Sequence, residues 1–169
     1  MKKLLSLVTV FALLFVACEG PQGPPGLNGL NGFDGLDGQP ASAFEIVLDF
    51  NAPNYEVVES YGFNVSSSTS TLVYILWETL SDGTEIWRQL PQTVIFNNGD
   101  DLVYNFDFTQ LDVRFFLEGS NLNALGPEWT QAQTFRVVVV PTINVGRVDV
   151  SDYNAVVNYF GITEFEKRN

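Results

Sequence analysis

Phe44-Glu45-Ile46-Val47-Leu48-Asp49-Phe50 sets an apolar side chain at every second position, with Glu45, Val47 and Asp49 between Phe44, Ile46, Leu48 and Phe50. Successive side chains of a strand point to opposite faces, so a period of two describes a strand with one face buried and the other wet. The same pattern recurs downstream between turn signals. A weaker strand is expected through Tyr55 to Tyr61, followed by a polar loop at Ser66-Ser67-Ser68-Thr69-Ser70. Leu72 to Glu78 and Glu85 to Leu90 flank Ser81-Asp82-Gly83, and Thr93 to Phe96 and Leu102 to Phe108 flank Asn97-Asn98-Gly99-Asp100. Both arrangements read as hairpins, because the turn residues tolerate the backbone angles that a tight reversal needs. Leu111 to Leu117 and Phe135 to Val140 complete the set, and Pro141 ends the last strand because proline has no N–H for the ladder.

Two of these strands carry extra information. Leu102, Tyr104, Phe106 and Phe108 fall on one face. Phe135, Val137 and Val139 form an inward row, but Val138 and Val140 make the opposite face apolar too, which places this strand mid-sheet and covered on both sides. Many short strands separated by turns predict a mainly β domain over residues 43–169, an antiparallel β-sandwich of Greek-key, immunoglobulin-like or jelly-roll-like form. One short C-terminal helix is expected at about 151–160, with Ser151 as N-cap, Asp152 in the first turn and Gly161 at C′. Its stripe of Tyr153, Val156, Val157 and Phe160 should cover an open face or an end of the sandwich.

Upstream of the first strand the composition changes. Residues 20–40 read GPQGPPGLNGLNGFDGLDGQP, with glycine at Gly20, Gly23, Gly26, Gly29, Gly32, Gly35 and Gly38. Strict period three is the signature of the collagen triple helix, whose axis has room only for glycine. Only Pro25 and Pro40 occupy Y positions, and Asp34 and Asp37 would bring like charges together in a trimer. Residues 18–42 are therefore expected to act as an extended tether on a monomer, its Gly-X-Y run of residues 20–40 about 65 Å long at ~3.1 Å per residue, with a homotrimer as the alternative. A three-residue period never supplies the Gly-x-Gly of a dinucleotide site.

The chain opens on Lys2 and Lys3, then the almost unbroken apolar stretch Leu4 to Val16, then Ala17 and Cys18. This is the layout of a signal peptide, residues 1–17, and the stretch is shorter than the ~20 residues a comfortable membrane span needs. Leu14-Phe15-Val16-Ala17-Cys18 resembles the lipobox of bacterial lipoproteins, with Phe15 where that family usually carries leucine. The resemblance implies cleavage between Ala17 and Cys18, diacylglycerol on the Cys18 sulfur with fatty chains such as palmitate, and often acylation of the new amine. Several such chains, at about 0.8 kcal/mol per buried CH₂, hold a protein to a bilayer where one would not.

A wider resemblance joins these parts. CEGPQGPPG at 18–26, IWRQLPQTV at 86–94, LVYNFDFTQLDVRFFLEG at 102–119, FRVVVVP at 135–141 and a short terminal helix are similar to the small collagen-like lipoproteins of flavobacteria and their relatives. That resemblance implies an outer membrane lipoprotein, with the cell surface as one placement, and supplies no mechanism.

Charge and composition narrow the function. The chain has 20 acidic and 8 basic residues, a net charge of −12 that becomes −14 once Lys2 and Lys3 are removed. Nucleic acid is excluded as a partner, since phosphate binding needs a basic patch, and flat contact with an anionic lipid surface is disfavoured. There is no histidine and a single cysteine. Ser/His/Asp and Cys/His catalysis, His/Cys zinc sites and a disulfide framework are thereby excluded. No enzyme and no cofactor are expected; a carboxylate-dependent glycan hydrolase stays as the remote alternative, because it needs only two carboxyl groups across a cleft. No metal site is expected either. Asn97, Asn98, Asp100 and Asp101 offer hard oxygen ligands for calcium, but without EF-hand spacing they read better as a solvated turn. Arg114 and Arg136 lie inside strands and suit cross-strand ion pairs, with Asp112 and Asp107 nearby in sequence. Trp77, Trp87 and Trp129 suit the core, or sugar stacking if exposed. The function these features favour is a membrane-anchored, non-catalytic surface module that binds an envelope protein or a glycan. The alternative is a structural spacer or coat built from collagen-like homotrimers.

Overall fold

The computed structural model describes residues 41–168. The signal peptide, its cleavage point at Ala17 and Cys18, the lipid attachment at Cys18 and the seven repeat glycines from Gly20 to Gly38 lie outside the described residues.

Among the described residues nine strands form two sheets. In chain order they are β1 (Ser42–Leu48), β2 (Glu56–Ser60), β3 (Thr69–Thr79), β4 (Glu85–Gln89), β5 (Gln92–Ile95), β6 (Asp101–Phe108), β7 (Asp112–Gly119), β8 (Gln133–Pro141) and β9 (Glu166–Arg168). The first sheet runs β4-β3-β8-β1-β9 and the second β2-β7-β6-β5. All pairings are antiparallel except that of β9 with β1. The inner faces of both sheets meet in one core that includes Phe44, Ile46 and Phe135 from the first and Leu102, Tyr104 and Phe115 from the second. This is a β-sandwich, as the alternating strands predict.

β8 lies mid-sheet, as its two apolar faces require. Phe135, Val137 and Val139 enter the sandwich core, while Val138 and Val140 join a second cluster on the outer face of the same sheet. β3, its neighbour, divides likewise: Val73 and Ile75 point inward, Leu72 and Tyr74 outward. The outer cluster is closed by the C-terminal segment. Short helices α1 (Pro127–Thr130) and α2 (Thr142–Val145) flank β8, and α3 (Tyr153–Tyr159) lays Tyr153, Val156 and Val157 on the outer face, with Phe160 just beyond its end.

Several local expectations shift by a residue or more, each for a visible reason. Thr69 and Ser70 belong to β3 rather than to the preceding loop, because β8 extends far enough to pair with them through Val140 and Pro141. The helix cap is Asp152, whose side chain accepts the Ala155 N–H, and not Ser151. Ser151 is instead drawn to Asp149, which accepts both its N–H and its hydroxyl. Gly161 takes φ +63 at the helix end as expected, a left-handed conformation that glycine adopts without steric cost. The inward row of β6 stops at Phe106, since Phe108 is 43% exposed and stacks on Phe106 near the strand end. β9 was invisible to periodicity, being three residues long. It is pinned by Arg168, which donates to the Ser60 and Tyr61 carbonyls (2.9 and 2.8 Å) and so ties the tail of the first sheet to the end of β2 in the second.

Candidate functional site

The end of the sandwich beside the β5–β6 turn holds a cleft of about 380 Å³. Its walls are the turn, with Phe96, Asn97, Asn98, Asp100 and Asp101, and the segment from Asn121 to Trp129, which contains a 3₁₀ turn at Leu122–Ala124 and then α1. This volume is within the range of small-ligand sites. A smaller depression of about 150 Å³ adjoins it, lined by Ile75, Leu76, Trp77, Tyr104 and Gln133. Glu128 and Trp129 line both, so these two residues form a ridge between the depressions.

The ridge is held from below by four contacts. The Phe50 N–H donates to the Thr130 carbonyl at 2.7 Å, and Asp49 accepts the Ala132 N–H at 2.7 Å. The buried Tyr104 hydroxyl donates to the Trp129 carbonyl at 2.8 Å, and the Gln133 amide donates to the Glu128 carbonyl at 3.0 Å. Burial pushes the Tyr104 phenol well above its ordinary 10.0, and the Glu128 carboxylate adds to the rise, so the phenol stays a proton donor across the physiological range. The Trp129 ring meets Phe96 edge-on, with centroids 5.3 Å apart at 85°. A Cβ at Gly126 would come within 2.2 Å of the Glu128 carboxylate, a contact that the exposed end of that side chain relieves by turning away. The local sequence Gly126-Pro127 also starts α1, since proline is well placed at the first position of a helix.

The cleft wall is polar and acidic. Asp100, Asp101 and Glu128 supply carboxylates, Asn97, Asn98 and Asn121 supply amides, and none of its lining residues is Lys or Arg. The structure thus gathers the four residues considered for calcium on one wall. Within the turn, however, the Asn98 amide donates to Asp100 (2.9 Å) and accepts the Asp100 N–H (3.1 Å). Asp101 accepts the Ser120 N–H at 3.1 Å. Gly99 adopts φ +91, so the turn closes on itself as an Asn-Gly hairpin does. Among the described residues no group of three or more His, Cys, Asp or Glu is placed to hold a metal ion.

The three tryptophans have three fates. Trp87 is buried in the outer cluster. Trp77 packs on the sandwich core with the Arg88 guanidinium 4.2 Å above its ring. Trp129 alone lines the larger cleft. The arginines behave as strand residues do. Arg114 pairs with Asp107 directly opposite on β6 and reaches Glu56 on β2. Arg136 pairs with Glu45 opposite on β1 and with Glu85 of β4, at 2.9 and 3.1 Å, rather than with Asp107 or Asp112. Its guanidinium is also boxed by rings: Trp87 at 4.0 Å, Phe165 at 4.6 Å and Tyr153 at 5.5 Å.

Sequence reasoning pointed to Asn97, Asn98, Asp100, Asp101 and Trp129 separately, and missed Phe96, Asn121, Gly126 and Glu128 as parts of the same cleft. Gly126-Pro127-Glu128-Trp129 was the available signal, a helical first turn presenting an acid beside an aromatic ring. Among the described residues no helix is long and apolar enough to cross a membrane. Searches against protein families, curated proteins and solved structures found no match to this chain.

Proposed function

We propose that this chain is a lipid-anchored, non-catalytic envelope protein that presents its β-sandwich as a binding module, with the cleft at the Trp129 end as the binding surface. The observation that carries the reading is a cleft of ligand size whose aromatic ridge is fixed by backbone contacts while its polar wall faces solvent. Preorganisation of this kind lowers the entropy lost on binding. The anchor is read from Leu14-Phe15-Val16-Ala17-Cys18, and Gly-X-Y repeats between anchor and sandwich would hold the cleft away from the lipid. The outer membrane is the proposed location, with the domain on its periplasmic or external side. A non-catalytic role is favoured because the chain has no histidine and because Asp100 and Asp101 are engaged within their own turn and with Ser120.

Protease shaving of intact cells, with mass spectrometry of the Cys18 peptide, tests this reading. Acylated Cys18 at the mature N-terminus and a membrane-bound protein are expected. Normal processing and unchanged membrane association of Cys18→Ser would refute the anchor. A structural homotrimer is the second reading, favoured by the seven unbroken Gly-X-Y triplets. Sedimentation equilibrium and collagen-type circular dichroism distinguish it: a monomer with no triple-helix signal removes it.

A further inference from the structure

We infer that the cleft binds an uncharged saccharide chain laid across the Glu128–Trp129 ridge, with sugar units in the depressions on either side. The assignment rests on the binding-module reading and names the ligand class of that same site.

Three features of the cleft select this chemistry. The first is the ridge. A pyranose ring presents an apolar C–H face and a rim of hydroxyls, and the electron-rich face of an indole attracts such C–H groups while the rim stays free for hydrogen bonds. Trp129 borders both depressions and is the ring a sugar would meet; Trp77 lines the second, but its own ring is already covered by the Arg88 guanidinium at 4.2 Å. An aromatic wall bordering two adjoining depressions suits an extended chain of repeating rings better than a single compact ligand. The second is the polar wall. Carboxylates and primary amides from Asp100, Glu128, Asn97, Asn98 and Asn121 offer many acceptors and some donors, which matches ring hydroxyls that both give and receive protons. The third is charge. With three carboxylates and no basic residue in the larger depression, uronic acids, sialic acids, sulfated sugars and phosphates would meet uncompensated repulsion in a partly desolvated site.

The Arg136 box shows how this fold treats a cation that belongs among rings and carboxylates: it supplies one from its own strand. The cleft has rings and carboxylates without such a residue. A metal ion is a poorer occupant, because Asn98, Asp100 and Asp101 are already bonded within and beside the turn.

The test uses the mature lipoprotein in detergent micelles and isothermal titration calorimetry, with tryptophan fluorescence as a second readout. The probes are neutral hexasaccharides of β-1,4-glucose, β-1,3-glucose, mannose and xylose, with hexagalacturonate as the acidic control. Saturable binding of at least one neutral probe is expected at micromolar to about millimolar dissociation constant, the range of shallow polar sites. Trp129→Ala should weaken it at least about tenfold, and Trp129→Phe should retain part of it. Asp100→Asn and Glu128→Gln, whose folding is checked by their unfolding midpoints, should weaken neutral binding and reduce the discrimination against hexagalacturonate. The inference is overturned if no neutral probe binds at about 10 mM, if hexagalacturonate binds more tightly, or if Trp129→Ala binds as well as the parent. Trp129-dependent capture of an envelope protein without saccharide binding would overturn the inference and leave the binding module standing. Saccharide binding by a protein whose Cys18→Ser variant stays on the membrane would keep the cleft assignment and remove the anchor.

Discussion

Two places on this molecule gather aromatic rings beside carboxylates. On the outer face of the first sheet, Trp87, Tyr153 and Phe165 surround the Arg136 guanidinium, which also bridges Glu45 and Glu85. At the end of the sandwich, Phe96 and Trp129 stand beside Asp100, Asp101 and Glu128, with no Lys or Arg among the residues of that wall. The chemistry of the side chains is alike, and the difference lies in what closes the set. In the box every group has a partner within the chain, and the rings come from β4, from α3 and from the segment leading to β9, so the box fastens the C-terminal segment to the sheet. In the cleft the backbone is fastened, the Phe96 and Trp129 rings rest partly on the core, Asp100 and Asp101 are bonded in and beside their turn, and the Glu128 carboxylate faces water. A closed set stabilises the fold; an open set held rigidly is available to a ligand.

The largest effect expected from breaking this contrast is at Arg136. The Glu45 side chain is only 12% exposed, so Arg136→Met leaves a carboxylate nearly buried; among the described residues the exposed Lys167 amine at 3.4 Å is its one other cation. Removing one partner of a buried pair costs roughly 3–5 kcal/mol, and the loss of cation–π contacts adds to it. Denaturant midpoints should show this fall, and the double variant Arg136→Met/Glu45→Gln should recover much of it. A single variant as stable as the parent would mean that the box holds nothing together.

Alkaline pH should act on both places. Burial pushes the Tyr74 and Tyr153 phenols near the box, and Tyr104 under the ridge, above the ordinary 10.0; acidic groups add to the rise, Asp152 and Asp149 at Tyr74 and Glu128 at Tyr104, while the Arg136 guanidinium offsets part of it at Tyr153. Above pH 10 the unfolded chain releases these protons while the folded chain keeps them. Stability is therefore complete below that value and declines as pH rises through the folded-state range, at most by about 1.4 kcal/mol per pH unit for each phenol. Unfolding midpoints measured from pH 8 to 11 should fall, and less steeply in Tyr74→Phe, which cannot ionise in either state. Equal slopes for the two proteins would contradict this account. Tyr74→Phe also loses the bond to the Val150 carbonyl at 2.7 Å, so its midpoint should start lower at neutral pH.

The helix cap gives a smaller effect and shows where sequence reading loses resolution. Asp152→Ala should lower stability by ~1 kcal/mol, since the Ala155 N–H loses its acceptor. Ser151→Ala should cost less, because Ser151 serves the Asp149 turn. Ser-Asp before an apolar stripe allows either residue to cap, and only the position of Asp149 decides between them.

That ambiguity is typical of what the sequence left open. Alternation in Phe44–Phe50 and the two-faced Phe135–Val140 were enough to define a sandwich with a covered central strand, because burial on a pleated surface must repeat every two residues. The stripe of α3 was legible for the same reason at its longer period. β9 was not, being too short for any period and held by Arg168 reaching the Ser60 and Tyr61 carbonyls, over a hundred residues back. The cleft was half legible. Its turn stood out by composition, but the approach of Asn121–Trp129 depends on long-range contacts from Phe50, Asp49 and Tyr104, which leave no local pattern.

The smallest effect on stability should come from the cleft wall itself, and there the contrast with the box is sharpest. Glu128 is exposed and meets no cation among the described residues, so Glu128→Gln should shift the unfolding midpoint by no more than about 0.5 kcal/mol. Asp100→Asn should behave alike, since asparagine can still accept at the turn. If charge neutralisation at either position instead stabilised the protein by 1 kcal/mol or about that much, mutual repulsion of the carboxylates would be a real cost to the fold. That outcome would strengthen the contrast with Arg136, because strain retained in a solvent-facing cleft, and absent from a closed box, belongs to a place shaped for something other than folding.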